Sequence, residues 1–271
     1  MRILFVADIF GRPGRRAAAE CIPQLIRERQ VDFCIANGEN AAGGFGITEN
    51  LAGKLHSYGV DVITSGNHIW DRKDFMSYLS RDERVLRPFN YPSSAPGKGV
   101  TVQASRAQVP VAVINLQGRT NMATTDCPFR LGRATVKRLK EETPIVFVDF
   151  HAEATAEKIA LARHLDGLAS AVIGTHTHVQ TADERILPKG TAFLTDAGMT
   201  GPHDSVIGVR SDLAIQRFIS QVPVRFKPAE DNVKFCGALI DIDQGTGQAL
   251  HIERLQIDLQ FEEPGDVGDE D

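Results

Sequence analysis

Runs of five or six mostly apolar residues recur along this chain, and each is closed by a short polar cluster. Arg2-Ile3-Leu4-Phe5-Val6-Ala7 leads into Asp8, Val31-Asp32-Phe33-Cys34-Ile35-Ala36 into Glu39 and Asn40, and Val60-Asp61-Val62-Ile63-Thr64 into Asn67 and His68. Later, Ile145-Val146-Phe147-Val148-Asp149 leads to His151, and Ala169–Ile173 to Gly174-Thr175-His176-Thr177-His178. Such runs, short and rich in β-branched and aromatic residues, predict buried strands. Between the first two, Gly14–Arg29 carries Ala17, Ala18, Cys21, Ile22, Leu25 and Ile26 at helical spacing. Thr48 precedes Glu49–Ser57 as the N-cap of a short helix. The resulting βαβαβ order predicts a parallel sheet with right-handed crossovers.

The character changes between Val85 and Leu116. Gly99–Gln103 and Val109–Leu116, flanked by turn residues, predict antiparallel strands, and Pro110 predicts that the second begins at an edge. Helices are expected over Arg130–Glu142 and near Ala154–Leu165. Two hairpins follow: Arg185-Ile186-Leu187 with Ala192–Thr195, and Phe235–Ile242 with Ala249–Phe261 across Gly245-Thr246-Gly247. Repeats and long linkers are lacking, so residues 1–261 read as a single domain. Residues 262–271, acidic and carrying Pro and Gly, read as a disordered tail.

At 271 residues and 42% hydrophobic content the chain can bury a full core. Its net charge of −5 argues against a protein that binds nucleic-acid backbones stably. Cys21, Cys34, Cys127 and Cys236 are scattered, with no metal-finger spacing, which favours a reducing compartment. The chain opens on a strand rather than on a signal-peptide pattern. No apolar run approaches the ~20 residues that cross a bilayer. A soluble cytoplasmic protein without a membrane partner is expected, and homo-oligomerisation stays open.

The polar clusters carry the chemistry. In α/β proteins, sites are built at the carboxyl ends of strands, and five such ends here bear Asp, Glu, Asn or His. His176 and His178, two apart, are placed to face opposite ways, one toward each of two neighbouring metals. Asp8 and Glu39 supply anionic charge, and Asn67 supplies an amide oxygen. This mixture of oxygen and imidazole suits Fe, Mn, Zn or Co better than Mg or Ca. Two such ions, about 3.5–4 Å apart, generate hydroxide at neutral pH and clamp both oxygens of an in-line displacement at phosphorus. His68, beside Asn67, is the candidate proton donor for the leaving oxygen.

Each residue alone has a plainer use: Asp8 as a helix N-cap, Asn67 as a turn former, His151 or His164 as a polar group on or near a helix. Only their joint occurrence resists that account. Gly11-Arg12-Pro13-Gly14 lacks the Lys-Ser/Thr of a P-loop, and no Gly-x-Ser-x-Gly elbow occurs. Gly118–Pro128 is a candidate substrate-facing loop through Arg119 or Asn121. The residues support metal-dependent phosphoester hydrolysis and leave diester and monoester open.

Read in order, Asp8, Gly38-Glu39-Asn40, Gly66-Asn67-His68, His151 and Gly174-Thr175-His176-Thr177-His178 resemble the calcineurin-like metallophosphoesterase superfamily. Two departures, Phe10 in place of a usual histidine ligand and Glu39 in place of the bridging aspartate, together with Gly198-Met199-Thr200-Gly201-Pro202, resemble its YmdB-type bacterial branch. The resemblance implies two mixed β-sheets packed as a sandwich and flanked by helices in four layers. It also implies that Asp8, Glu39, Asn40 and His178 hold one metal. Glu39 would bridge to a second held by Asn67, His151 and His176, with His68 as proton donor. With Asn40 standing in for the lost histidine, iron or manganese is favoured over zinc. The activity implied is a phosphodiesterase that opens cyclic nucleotides, 2',3'-cyclic and also 3',5'-cyclic, by a metal-bridging hydroxide. The alternatives are a phosphomonoesterase, a broad phosphoesterase, or a metal-bound regulatory protein.

Overall fold

The computed structural model describes residues 1–261; the expected disordered tail, 262–271, lies outside them. The first third runs β1 (Arg2–Val6), β2 (Asp8–Ile9), α1 (Gly11–Glu28), β3 (Phe33–Asn37), α2 (Glu49–Ser57), β4 (Val62–Thr64) and α3 (Met76–Leu79). The middle runs β5 (Val100–Ala104), β6 (Pro110–Gln117), α4 (Pro128–Leu139), β7 (Val146–His151), α5 (Thr155–Leu165) and β8 (Ala171–Thr175). The last part adds β9 (Arg185–Ile186), β10 (Ala192–Leu194), β11 (Met199–Pro202), α6 (Ser211–Ser220), β12 (Val233–Ile242) and β13 (Ala249–Leu259).

These strands form two mixed sheets. The first has the order β2-β11-β12-β1-β3-β4, with β13 paired to β12; the second has the order β5-β6-β7-β8-β10-β9. The expected parallel βαβαβ start is present, with Ile3 to Val6 opposite Phe33 to Ala36 and Ile35 to Asn37 opposite Val62 to Thr64. Both expected hairpins form, β9 with β10 and β12 with β13. The expectation for Pro110 is corrected. Strand β6 lies inside its sheet between β5 and β7, and Pro110 is tolerated as its exposed first residue, ahead of the first β7 partner at Ala112.

Side-chain alternation builds the layers. Ile3, Phe5, Phe33, Ile35 and Val62 point inward against Val113, Phe147, Ala171, Ile173 and Leu194 of the second sheet. The rings of Phe5 and Phe147 meet across the sheets at a centroid separation of 5.3 Å. Leu4, Val6, Cys34 and Ala36 point outward and are covered by Ala18, Ile22 and Leu25 of α1 and Leu51 and Leu55 of α2. On the far side, Ile114, Val146 and Val148 are covered by Val136 and Leu139 of α4 and Leu161 and Leu165 of α5. The order is therefore helix, sheet, sheet, helix. No helix among the described residues is long and apolar enough to cross a membrane.

Local signals hold where they were strongest. Helix α2 begins as expected, with Thr48 Oγ1 accepting from the Leu51 N–H at 3.3 Å. Truncation of the inner core and loss of this cap should differ in scale. Phe147→Ala is expected to cost about 3–5 kcal/mol and Thr48→Ala about 1 kcal/mol, both read from urea unfolding midpoints.

Candidate metal centre

The carboxyl ends of β1, β3 and β4 in one sheet, and of β7 and β8 in the other, meet at one edge of the sandwich. Asp8 opens β2, separated from the end of β1 by Ala7 alone, Glu39 and Asn40 open the turn after β3, and Asn67 and His68 begin a single 3₁₀ turn, Asn67–Trp70, after β4. His151 is the last residue of β7; His176 and His178 follow β8. Asp8, Glu39, Asn40, His151 and His178 are buried, whereas His68 and His176 are half-buried. Asp8 caps no helix: α1 starts after Phe10, and no side chain closes its first turn.

Hydrogen bonds at the rear of each imidazole determine what it presents to the site. Thr175 Oγ–H donates to Asp149 Oδ1 at 2.7 Å, so Thr175 Oγ1 accepts from His151 Nδ1–H at 3.0 Å. His151 Nε2 is then the ring atom turned to the site, where it can take up a proton or a metal ion. It faces Glu39 Oε1 at 2.9 Å, Asn67 Oδ1 at 3.2 Å and His176 Nδ1 at 3.0 Å. His176 Nε2–H is directed to a Glu153 carboxylate oxygen at 3.2 Å, so its Nδ1 presents a lone pair. His178 behaves likewise: Nδ1–H donates to the Ile207 carbonyl at 2.9 Å, leaving Nε2 facing Asp8 Oδ2 at 3.3 Å. Two groups of inward-facing ligand atoms result, one around Glu39, Asn67, His151 and His176, the other around Asp8 and His178.

That arrangement is unstable without positive charge. Ligand atoms of Glu39, His151 and His176 lie within 4.8 Å of one another. Asp8 Oδ1 and Asn40 Oδ1 are buried with no hydrogen-bond partner, although Asn40 Nδ2–H donates to the Gly44 carbonyl at 3.0 Å. Buried unpaired oxygens are costly, and a cation is the partner that suits them. The protonation balance agrees. Burial pulls the fully enclosed His151 imidazole down, but Glu39, Asp8 and Asp149 outweigh it and hold its pKa above the ordinary histidine value. Burial likewise pushes Glu39 up, and His151 and His68 pull it below the usual carboxylate range. Burial and the His151 charge together press His176 down to about 3. The carboxylates thus draw one positive charge into the centre, and the donor set of carboxylate, amide and imidazole fits a transition metal.

The surroundings give Phe10 a use of its own. Phe10 is a wall rather than a ligand: its buried ring stands edge-on to His178 at 5.6 Å and packs over Gly44 and Gly208. A cavity of about 310 Å³ opens over Glu39, Asn40, His68, His176 and His178, rimmed by Glu153, Ile207 and Val209. His68 Nδ1–H donates to Asp71 Oδ2 at 2.7 Å, its backbone N–H to Glu39 Oε2 at 3.0 Å, and its ring abuts Phe45.

Asp149, Thr175, Asp71, Glu153 and Ile207 were not found by sequence reasoning. Asp149 closes its apolar run and Thr175 stands beside His176 in the polar cluster, but a hydrogen bond between two strands of the sheet leaves no mark on either stretch of sequence. The Gly118–Pro128 loop starts beside the site, with Gly118 N–H donating to the His151 carbonyl at 2.9 Å. Arg119 and Asn121 are exposed and do not line the cavity. His164 lies on α5 against Phe129, away from the centre.

Comparison with known proteins bears on this arrangement. The family model described as YmdB-like protein matches residues 4–255. The chain is 49% identical over 258 residues to a 2',3'-cyclic-nucleotide 2'-phosphodiesterase of Bacillus subtilis (strain 168), covering 95% of this chain and 97% of that protein. A crystal structure of a hypothetical protein from Thermus thermophilus superposes with a TM-score of 0.89 at 40% identity, covering 95% and 99% of the two chains. A phosphatase of Mycoplasma pneumoniae superposes with a TM-score of 0.89 at 32% identity, covering 95% and 93%.

Gly66 is packed hard against the centre: a β-carbon there would lie 2.0 Å from His151 Cδ2. Gly66→Ala is expected to drive the imidazole out of line and abolish high-affinity Mn²⁺ binding, at a stability cost of about 1–3 kcal/mol. Isothermal titration with Mn²⁺ beside a thermal melt checks both.

Proposed function

Because the chain belongs to the family of YmdB-like proteins, we propose that it is a phosphodiesterase that uses two transition-metal ions and acts on 2',3'-cyclic nucleotides. The observation that carries this reading is the convergence of Glu39 Oε1, Asn67 Oδ1 and His176 Nδ1 on His151 Nε2, at 2.9 to 3.2 Å. Asp8, Asn40 and His178 would hold one ion and Asn67, His151 and His176 the other, with Glu39 placed between the two sets. The oxygen-rich shell of Asp8, Glu39 and Asn40, with one imidazole, favours iron or manganese. Bound there, the ions supply Lewis acidity toward the phosphoryl oxygens and lower the pKa of water toward neutrality.

The protein's own groups do the rest. Asp71 holds the His68 ring by Nδ1, which leaves Nε2 for the departing oxygen. In-line attack of water at phosphorus breaks the bond to the ribose 2'-oxygen, His68 gives a proton from Nε2 to that oxygen, and the proton lost by the attacking water passes to solvent, from which His68 is restored. The products are a 3'-phosphomonoester and a free 2'-hydroxyl. Glu153 and Ile207 border the entrance, so both meet the substrate's sugar or base before the phosphate is seated. The same site extends to 3',5'-cyclic substrates if the larger ring enters the cavity. The inner core shared by both sheets supports residues 1–261 acting as one domain. Four separate, unpaired thiols support a reducing, cytoplasmic setting.

Protein purified without chelator is expected to carry about two equivalents of iron or manganese by mass spectrometry; less than one equivalent after reconstitution removes the reading. His68→Ala is expected to lower kcat on 2',3'-cyclic AMP by about 10²–10⁴ with metal content unchanged. Bis-p-nitrophenyl phosphate should be cleaved in preference to p-nitrophenyl phosphate. Activity on the monoester alone makes the protein a phosphomonoesterase instead.

A further inference from the structure

Behind the His176–His178 loop lies a buried ion pair that does not line the cavity. Lys158, on α5, and Asp196, just after β10, are each 1% exposed, with Nζ and Oδ2 2.6 Å apart. Buried pairs of this kind seldom add stability over apolar residues of the same volume, because desolvation offsets the attraction. Its other contacts point to a use. Asp196 Oδ2 accepts from the Thr177 N–H at 3.2 Å and from Thr177 Oγ–H at 2.7 Å, while Oδ1 accepts from the Gly198 N–H at 2.9 Å. Thr177 is the residue between the two histidines. Both of these have left-handed backbones, with φ of 101° at His176 and 63° at His178. Residues other than glycine rarely adopt such angles unless surrounding contacts hold them there. The Lys158 stem passes against Gly174 at the base of the same loop, where a β-carbon would lie 2.9 Å from Lys158 Cδ.

We infer that the Lys158–Asp196 pair is a latch: it clamps Thr177 from behind and so keeps His176 turned toward His151 and His178 toward Asp8. Both are positioning residues, remote from substrate, and the inference rests on the metal-centre reading above. Lysine fixes the carboxylate, the carboxylate fixes the Thr177 backbone and hydroxyl, and the strained turn presents its two imidazoles in opposite directions. A merely structural pair would lower the melting temperature and leave the metal affinity of folded protein untouched. A latch lowers that affinity.

The test uses the full chain carrying Lys158→Met and Asp196→Leu together, so that neither charge is left buried alone. Wild type and variant are stripped with chelator, checked for a cooperative thermal melt, and titrated with Mn²⁺ while free ion is followed by electron paramagnetic resonance. The folded double variant is expected to bind Mn²⁺ about tenfold or more weakly than wild type, the range found when groups behind metal ligands are removed. Equal affinity in the folded variant overturns the latch and leaves the metal centre standing. If the double variant does not fold, Thr177→Val decides, since it keeps the pair and deletes only the hydroxyl donor. Several-fold weaker binding supports the latch, and wild-type affinity overturns it. Failure of the wild-type chain to bind Mn²⁺ overturns the metal centre, and the latch with it.

Discussion

The stacking of the two sheets, with Phe5 against Phe147, is the contact on which the rest depends. Asp8 lies three residues beyond Phe5 and His151 four beyond Phe147, so the position of that contact decides whether the two strand ends meet. Parallel pairing brings the carboxyl ends of β1, β3 and β4 to one edge of the first sheet, and those of β7 and β8 to the matching edge of the second. A slip of one residue in either strand would turn its polar end group to the other face. Helices α1, α2, α4 and α5 cover the outer faces and leave that edge open.

Above the aromatic contact the inner faces change character within two residues. Ile35 gives way to Asn37, Val113 to Asn115, Phe147 to Asp149 and Ile173 to Thr175, all buried. This polar layer orients the groups above it. Asn37 Nδ2–H donates to Asp149 Oδ2 at 3.2 Å, Asp149 holds Thr175, and Thr175 sets the tautomer of His151. Burial pushes the Asp149 carboxyl up to about 7, against hydrogen bonds from Thr64 and Thr175 that pull it down. In so dry a layer each hydrogen bond is strong, and each one lost is expensive.

The parts of this fold that obey a simple period were legible in the chain. Apolar runs, the α1 stripe and the Thr48 cap depend on neighbours in sequence, and the polar residues closing each strand marked the edge where a site would form. What escaped was set by distant partners. Strands β2 and β11 are two and four residues long, and the latter contains Gly201 and Pro202, so no alternation betrays their pairing. Helix α6 buries only Ala214 and leaves Ile215, Phe218 and Ile219 exposed, so it has no inward stripe to find. Pro110 reads as an edge signal because proline donates no hydrogen bond. As a first residue it meets no β7 partner, so the missing donor costs nothing. Lys158 and Asp196 are 38 residues apart, and nothing in either neighbourhood predicts that they pair.

Asp8, Glu39, Asn40 and Asn67 follow strands of one sheet, and His151, His176 and His178 follow strands of the other. Any ion seated among them is therefore a cross-link between the two halves of the sandwich. By linkage, an ion at 100 times its dissociation constant adds about 2.7 kcal/mol to the folded state. The sheets in turn cannot part without releasing it. Resistance to unfolding and readiness for chemistry would then rise and fall together with the free metal concentration, so starvation for metal would weaken the fold as well as silence the site.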